Sequence, residues 1–260
     1  MILALDNIYC GYGNEPIVSN LSTSITPGEN ICILGPNGVG KTTLFKSILG
    51  FLPLISGTIT IDGEDIHLWP RKRLARYLGY VPQAHIPPFP FRVLDVVSMG
   101  CTSQLGMFAS PSKNDFIQSE RLLDTMGILH LKNRIYTELS GGERQMVIIS
   151  RALAQNPKIL IMDEPTANLD FGNQICVLTR INELTGQGLA VIMTSHVPDH
   201  AFLCNSSVIL LQRDNKYSIG PADTVITEKK LLNAYNVSVK IADFEHCSIR
   251  QKCCIPIIAK

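Results

Sequence analysis

Residues 30–49 read NICILGPNGVGKTTLFKSIL. Asn30 to Leu34 is a short apolar run with the form of a buried strand. Gly35, Pro36, Asn37, Gly38, Val39 and Gly40 follow as a turn. A helical pattern then runs from Thr42 to Leu49. Gly35 to Thr42 fits G-x-x-x-x-G-K-[ST] without mismatch, between a strand and a helix, where the pattern has its physical meaning. Its glycines let backbone N–H groups converge on phosphate oxygens. The helix that follows adds its positive N-terminal end. Lys41 is placed to reach the β- and γ-phosphates, and the Thr42 hydroxyl to ligate Mg²⁺.

Further along, the apolar run ILIMDE ends in Asp163 and Glu164. A carboxylate at the first position can hold Mg²⁺ through water. One at the second can orient or deprotonate an attacking water. Lys158 to Glu164, Leu189 to His196 and Ser207 to Gln212 are continuous apolar runs, as expected of strands buried on both faces of a parallel sheet. Gly57 to Ile66 alternates with period two and is expected to be a half-exposed strand of an antiparallel sheet. Short β-rich runs alternate with helical patterns, which predicts an α/β fold.

The middle of the chain differs. His85 to Arg92, HIPPFPFR, is too rich in proline for a helix or a central strand. Val93–Met99, Phe116–Met126 and Gly142–Ala154 carry helical spacing, with Phe116, Leu123 and Met126 on one face and Met146, Ile149 and Leu153 on another. Residues 84–155 therefore read as a helical insertion. After about residue 222 the pattern weakens into a small C-terminal appendix. Arg71-Lys72-Arg73 reads as a solvated helix face.

Composition narrows the class. The 260 residues are 45% hydrophobic and 17% charged, with a formal net charge of +1. That balance suits a globular protein with a large core and disfavours nucleic acid as the main partner. No run of eighteen apolar residues occurs, and the first residues lack a basic n-region with a long apolar core. A cytosolic setting is expected, with the eight cysteines as free thiols. Cys10, Cys32, Cys101, Cys176 and Cys204 read as small core residues. His246, Cys247, Cys253 and Cys254 lie close together but form no C-x-x-C pair, the weakest of grounds for a metal site.

Glu138 to Ile149 reads ELSGGERQMVII. Ser140 and Glu143 have the spacing of a capping box. A helix start carrying bare Gly141 and Gly142 is also an anion site. Together the phosphate loop, LSGGE and ILIMDEPTANLD stand in the order and spacing of the ATP-binding-cassette (ABC) ATPases, which the chain resembles from Leu3 to about Asp223. The resemblance implies a P-loop α/β core of parallel strands flanked by helices, an antiparallel β subdomain and an inserted helical subdomain. It implies an ATPase domain over residues 1–222, with the insertion at about 84–155, and a short extension over 223–260.

The resemblance also assigns residues. The nucleotide-binding set runs from Gly35 through Lys41, Thr42 and Thr43. Tyr12 matches the aromatic that stacks on adenine. Gln83 matches the glutamine that touches Mg²⁺ and the attacking water. Asn168-Leu169-Asp170 matches the segment that crosses to a second protomer, and His196 the histidine that contacts the γ-phosphate. Ser140, Gly141 and Gly142 would then meet the ATP held by the partner copy. Two positions depart from the common pattern: Glu143 replaces glutamine, and Val197 stands where many relatives have aspartate.

A narrower resemblance, in VPQAHIPPFPFRVLDVVSMG, LGMFASPSKND, SHVPDHA and the tail, is to the ATPases of importers for iron–siderophore complexes, haem and cobalamin. Those for zinc, manganese, molybdate and tungstate are close neighbours. It implies a second copy of the chain, a polytopic membrane permease and an extracytoplasmic substrate-binding protein as partners. It implies a place on the cytoplasmic face of the membrane. Ile86, Phe89, Phe91 and Val93 are the expected permease-binding surface.

Overall fold

The protein is described by a computed structural model over residues 2–83, 89–104, 111–246 and 249–258. It forms two compact units, Met1–Leu68 with Thr185–Lys260, and Trp69–Leu184.

The first segment contains β1 (Leu3–Tyr12), β2 (Glu15–Ile25), β3 (Asn30–Leu34), α1 (Lys41–Ile48), β4 (Ser56–Ile61) and β5 (Glu64–Asp65). β1 pairs antiparallel with β2 and β4, and β4 with β5, giving the order β2-β1-β4-β5. One face of this sheet is apolar. Leu3, Leu5, Val18, Ile25, Ile59 and Ile61 are buried there. Gly57 to Ile66 is a hairpin, not the single strand its alternation suggests. Asp62 and Gly63 have φ of 52° and 84°, the left-handed pair of a tight hairpin turn that Asp-Gly favours.

The middle segment contains α2 (Arg71–Tyr77), β6 (Leu78–Val81), α3 (Val93–Ser98), α4 (Lys113–Thr125), α5 (Gly141–Leu153), β7 (Ile159–Met162) and α6 (Phe171–Gly186). β6 and β7 pair in parallel. α5 is the hub of this unit. It packs on α3, α4 and β6, and Val147 and Ile148 are buried along with the expected Met146 and Ile149. Each fully buried aliphatic side chain of this kind contributes about 1.5–3 kcal/mol. Leu123 and Met126 of the expected α4 face are buried, and Phe116 is half-buried. On α2, Arg71 and Lys72 are exposed as expected, whereas the Arg73 guanidinium lies 3.8 Å over the Trp69 ring, a cation–π contact.

The last segment contains β8 (Ala190–Ser195), α7 (Asp199–Leu203), β9 (Ser207–Leu211), β10 (Tyr217–Pro221), α8 (Ala222–Val225), α9 (Glu228–Tyr235), β11 (Val239–His246) and β12 (Ile249–Pro256). β3 lies between β8 and β9 with both pairings parallel, and β10 adds antiparallel to β9. Every residue of β3 and β8 is buried, which explains why these strands read as unbroken apolar runs. The tail beyond residue 222 has more structure than its weak pattern suggests. Leu231 and Ala234 anchor α9, and β11 and β12 form a hairpin.

Every described cysteine is a free thiol. Cys10, Cys32, Cys101 and Cys204 are core residues, but Cys176 is exposed on α6. Burial pushes the Cys204 thiol up to about 12, so it stays protonated and inert. Among the described residues no group of three or more His, Cys, Asp or Glu could hold a metal; Cys247 lies outside them. No helix among them is long and apolar enough to cross a membrane.

Candidate functional site

The Gly35–Thr43 loop links β3 to α1 in the first unit. Gly40 is the N-cap of α1, with φ of 108° and no side-chain cap bond. A Cβ at Gly40 would also come within 2.7 Å of Ile17, so both conformation and space demand glycine. No acidic residue sits in the first turn of α1. The helix therefore presents its positive end with no side chain to neutralise it. Lys41 is 7% exposed. Its Nζ donates to the Gly35 carbonyl at 2.6 Å and to the Pro36 carbonyl at 3.1 Å, which folds the ammonium over the loop. Thr42 is exposed and Thr43 is buried. A groove of about 260 Å³ is lined by Pro36, Asn37, Gly38 and Val39 together with Ile17 and Gln212 to Asn215. Tyr12, at the end of β1, is 54% exposed, so its ring is available for stacking.

In the same unit β8 delivers His196 to the surface immediately after buried Ser195. The Ser195 hydroxyl accepts the Val197 N–H at 3.0 Å and lies 2.9 Å from His200 Nδ1. His200 is 4% exposed. Burial, reinforced by the neighbouring His196 and opposed by Asp199, lowers its pKa to about 4. Neither Ser195 nor His200 stood out in the sequence, where a second histidine four residues on looks like helix composition.

The His200 shift has a measurable consequence. Between the ordinary histidine value near 6.5 and about 4, the unfolded chain binds a proton that the folded chain refuses. Stability therefore falls as pH drops through that window. Urea unfolding at pH 5 should give a stability about 2 kcal/mol below that at pH 7. His200→Gln should flatten the difference. An equal pH dependence in both proteins excludes His200 as its source.

In the second unit β7 ends at Met162, and the Asp163 N–H donates to the Val81 carbonyl of β6 at 2.9 Å. Glu164 has φ of 46°, a left-handed conformation that costs a non-glycine residue about 1–3 kcal/mol. The Ala167 N–H closes the turn on the Glu164 carbonyl at 3.0 Å. Gln83 Nε2 donates to Glu164 Oε2 at 2.8 Å. Two residues separated by 81 positions in sequence thus meet on one carboxylate oxygen. Asp163 and Glu164 are half-exposed.

Ser140 caps α5 with a complete capping box. Its hydroxyl accepts the Glu143 N–H at 3.3 Å, and Glu143 Oε2 accepts the Ser140 N–H at 2.8 Å. These bonds hold the Glu143 carboxyl below its ordinary range, with the Ser140 amide as the largest cause. The box uses the amides of Ser140 and Glu143 and not those of Gly141 and Gly142. Gly141 is exposed. Gly142 is buried against Asn173 of α6, and a Cβ there would collide with the Asn173 amide. Asp170 caps α6: its Oδ1 accepts the Asn173 N–H at 2.8 Å and its Oδ2 accepts Asn173 Nδ2 at 2.7 Å. Asn173 thus joins Asp170 to Gly142. The three-residue interval from Asp170 to Asn173 is its only trace in the sequence.

Of the expected permease-binding residues, Phe89 is 61% exposed and stacks edge-on against Phe91 with centroids 5.9 Å apart. Val93 is corrected: it is fully buried, because its N–H pairs with the Arg134 carbonyl at 3.0 Å and starts α3 in the core. Ile86 lies outside the described residues.

A family model described as ABC transporter matches residues 18–167, and this range holds the phosphate loop, the capped α5 start and the β7 carboxylates. The chain is an ABC transporter ATPase. The ATPase is 39% identical over 241 residues to an ABC transporter ATP-binding protein of Haemophilus influenzae, covering 93% of this chain and 92% of that relative. It is 36% identical to the manganese transport system ATP-binding protein MntB of Bacillus subtilis, over 89% and 91%. At 31–32% identity, relatives from Haemophilus influenzae, Helicobacter pylori and Pseudomonas entomophila are named for import of molybdate, for transport of iron chelatin and for import of hemin. A solved structure described as a metal-chelate type ABC transporter in an inward-facing conformation superposes with a TM-score of 0.88 at 29% identity, covering 98% of this chain and 97% of that one. The fold is that of the ABC ATPases, and the chain binds and hydrolyses ATP.

Proposed function

We propose that this ATPase energises an importer for a metal chelate of the iron–siderophore, haem or cobalamin class. The observation that carries the reading is the near full-length match to ATPases named for metal and metal-chelate transport. Two copies would bind ATP between them, on the cytoplasmic face of a polytopic permease fed by an extracytoplasmic binding protein. Residues 1–222 would be the ATPase domain, residues 84–155 its permease-facing helical insertion, and 223–260 an extension.

In this reading Gly35, Pro36, Asn37, Gly38, Val39 and Gly40 wrap the phosphates, and Lys41 turns from the loop carbonyls to the β- and γ-phosphate oxygens. Thr43 continues the cradle, and Tyr12 stacks on the adenine. Thr42, Asp163 and Gln83 would hold Mg²⁺. They offer a hydroxyl, a carboxylate and an amide oxygen, the hard donors this ion takes, and a site of few protein ligands suits it. When bound, the ion supplies charge neutralisation between the phosphates. Glu164 takes the proton of the attacking water. Gln83, bonded to Glu164 in the structure, reports to it whether the cation and water are in place. His196 contacts the γ-phosphate. Ser140, Gly141 and Gly142 meet the γ-phosphate of the partner copy, and Asp170 keeps the crossing segment in register by capping α6.

Manganese is the second reading for the cargo, favoured by the higher identity of the manganese relative. Uptake of labelled ferric siderophore, hemin, cobalamin, manganese and molybdate in a strain lacking the gene separates the readings. Loss of one chelate names the cargo, loss of manganese alone moves the assignment, and unchanged uptake of all five sinks an importer of these classes. Complementation with Phe89→Glu should fail to restore uptake. Its purified ATPase should still bind ATP, because an exposed ring is changed. Loss of ATP binding in that variant assigns Phe89 to holding the fold of the ATPase and removes it from the permease surface.

A further inference from the structure

The C-terminal extension meets the nucleotide half-site of its own unit at two places. β12 reaches the segment after His196: the Cys254 N–H donates to Asp199 Oδ1 at 2.7 Å. α9 reaches the start of the phosphate loop: the Tyr235 hydroxyl is sealed from solvent beside the Gly35 amide, which favours its ionised form against the stronger opposing effect of burial. Between these contacts is a largely apolar cavity of about 270 Å³, whose wall includes His196, Asp199, Leu231, Tyr235, Val239 and Cys254.

The extension is itself held. Glu228 at the start of α9 pairs with Lys240 Nζ at 3.0 Å and accepts the Ile241 N–H at 3.3 Å. Lys252 pairs with Asp223 at 2.8 Å. Register places Ile241 opposite Cys254, and the Cys254 amide leaves the hairpin to meet Asp199. The exposed edge of β12 is thereby closed by a carboxylate from α7. His196 stands at the end of a rigid strand, but the chain that leaves it is a short turn into a five-residue helix. The near end of this turn is held by Ser195 Oγ, which accepts the Val197 N–H at 3.0 Å; Asp199 holds its far end, so the backbone that carries the imidazole is fixed on both sides.

We propose that Asp199 is a positioning residue for His196, and that residues 228–256 are the brace it is tied to. The inference rests on the reading of His196 as the γ-phosphate contact. The brace does not touch the nucleotide. It narrows the orientations of the histidine, so its loss lowers turnover and leaves ATP affinity alone.

The test is a cycle of variants in steady-state ATP hydrolysis. Asp199→Ala should lower kcat about tenfold with KM for ATP within twofold. Asp199→Asn keeps an oxygen for the Cys254 amide and should recover most of the loss. In a His196→Ala background Asp199→Ala should cost nothing more. Amide hydrogen exchange over Ile249–Pro256 should quicken in Asp199→Ala and not in Asp199→Asn. If His196→Ala leaves turnover unchanged, the reading of His196 fails. If His196→Ala lowers turnover and Asp199→Ala does not, or lowers it equally in both backgrounds, the positioning role fails. A loss of kcat with unchanged exchange in β12 excludes the extension as the brace. If Asp199→Ala does not fold, Asp199→Asn decides: a tenfold lower kcat there, with the oxygen retained, overturns the proposal.

Discussion

Glu164→Gln keeps ATP binding and lowers turnover by roughly 10²–10⁴-fold, the usual range for loss of a general base. The substitution is nearly isosteric and retains an acceptor oxygen for Gln83, whose Nε2 donates to Glu164 Oε2 at 2.8 Å. The left-handed backbone at φ of 46° treats glutamine and glutamate alike, since neither is branched at Cβ. The fold should therefore survive while the proton acceptor is lost. Binding without hydrolysis should also leave the ATP-bound dimer as the end state, visible as a shift in gel filtration when ATP is added. Steady-state hydrolysis within threefold of wild type refutes the base assignment, whatever the dimer does.

Lys41→Ala acts one step earlier. The Lys41 ammonium is almost buried and satisfied by the Gly35 and Pro36 carbonyls, so it is pre-placed at the mouth of the loop. A hydrogen bond to a charged group contributes about 1.5–3 kcal/mol, which corresponds to a roughly 10- to 150-fold weaker ATP affinity. Alanine is also a good helix residue, and α1 begins at this position. The helix should form, and the deficit should appear in nucleotide titration, not in the circular dichroism spectrum. Wild-type affinity in a folded Lys41→Ala protein removes the lysine from the phosphate site. The pair of variants separates binding from chemistry: one loses affinity, the other loses turnover.

Much of the fold was legible because its strands are short, apolar and separated by turn chemistry. β3, β7, β8 and β9 stand within a residue or two of the runs that announce them. The helices α3, α4 and α5 follow their 3.6-residue spacing. The capping box at Ser140 was legible for the same reason, being a local hydrogen-bond pattern written at fixed spacing. The Asp62–Gly63 hairpin was missed although Asp-Gly is a strong turn signal, because the alternation on both sides reads as one strand. Val93 was misplaced on the surface since an apolar residue beside prolines and phenylalanines carries no mark of which way it faces. Cys176 shows the opposite error, a small apolar residue that the fold leaves outside.

By itself the sequence determined the local devices: the glycine loop with Lys41 and Thr42, the capped start of α5, and the carboxylates that end β7. Each depends on neighbours a few residues away, where spacing decides geometry. Only the tertiary structure decided the meetings between distant residues. It brought Gln83 onto Glu164 across 81 positions, set Asn173 under Gly142, buried His200 beside Ser195, and tied Asp199 to Cys254 across 55. Such contacts close large loops and are selected by packing of whole elements, so no short stretch of sequence encodes them.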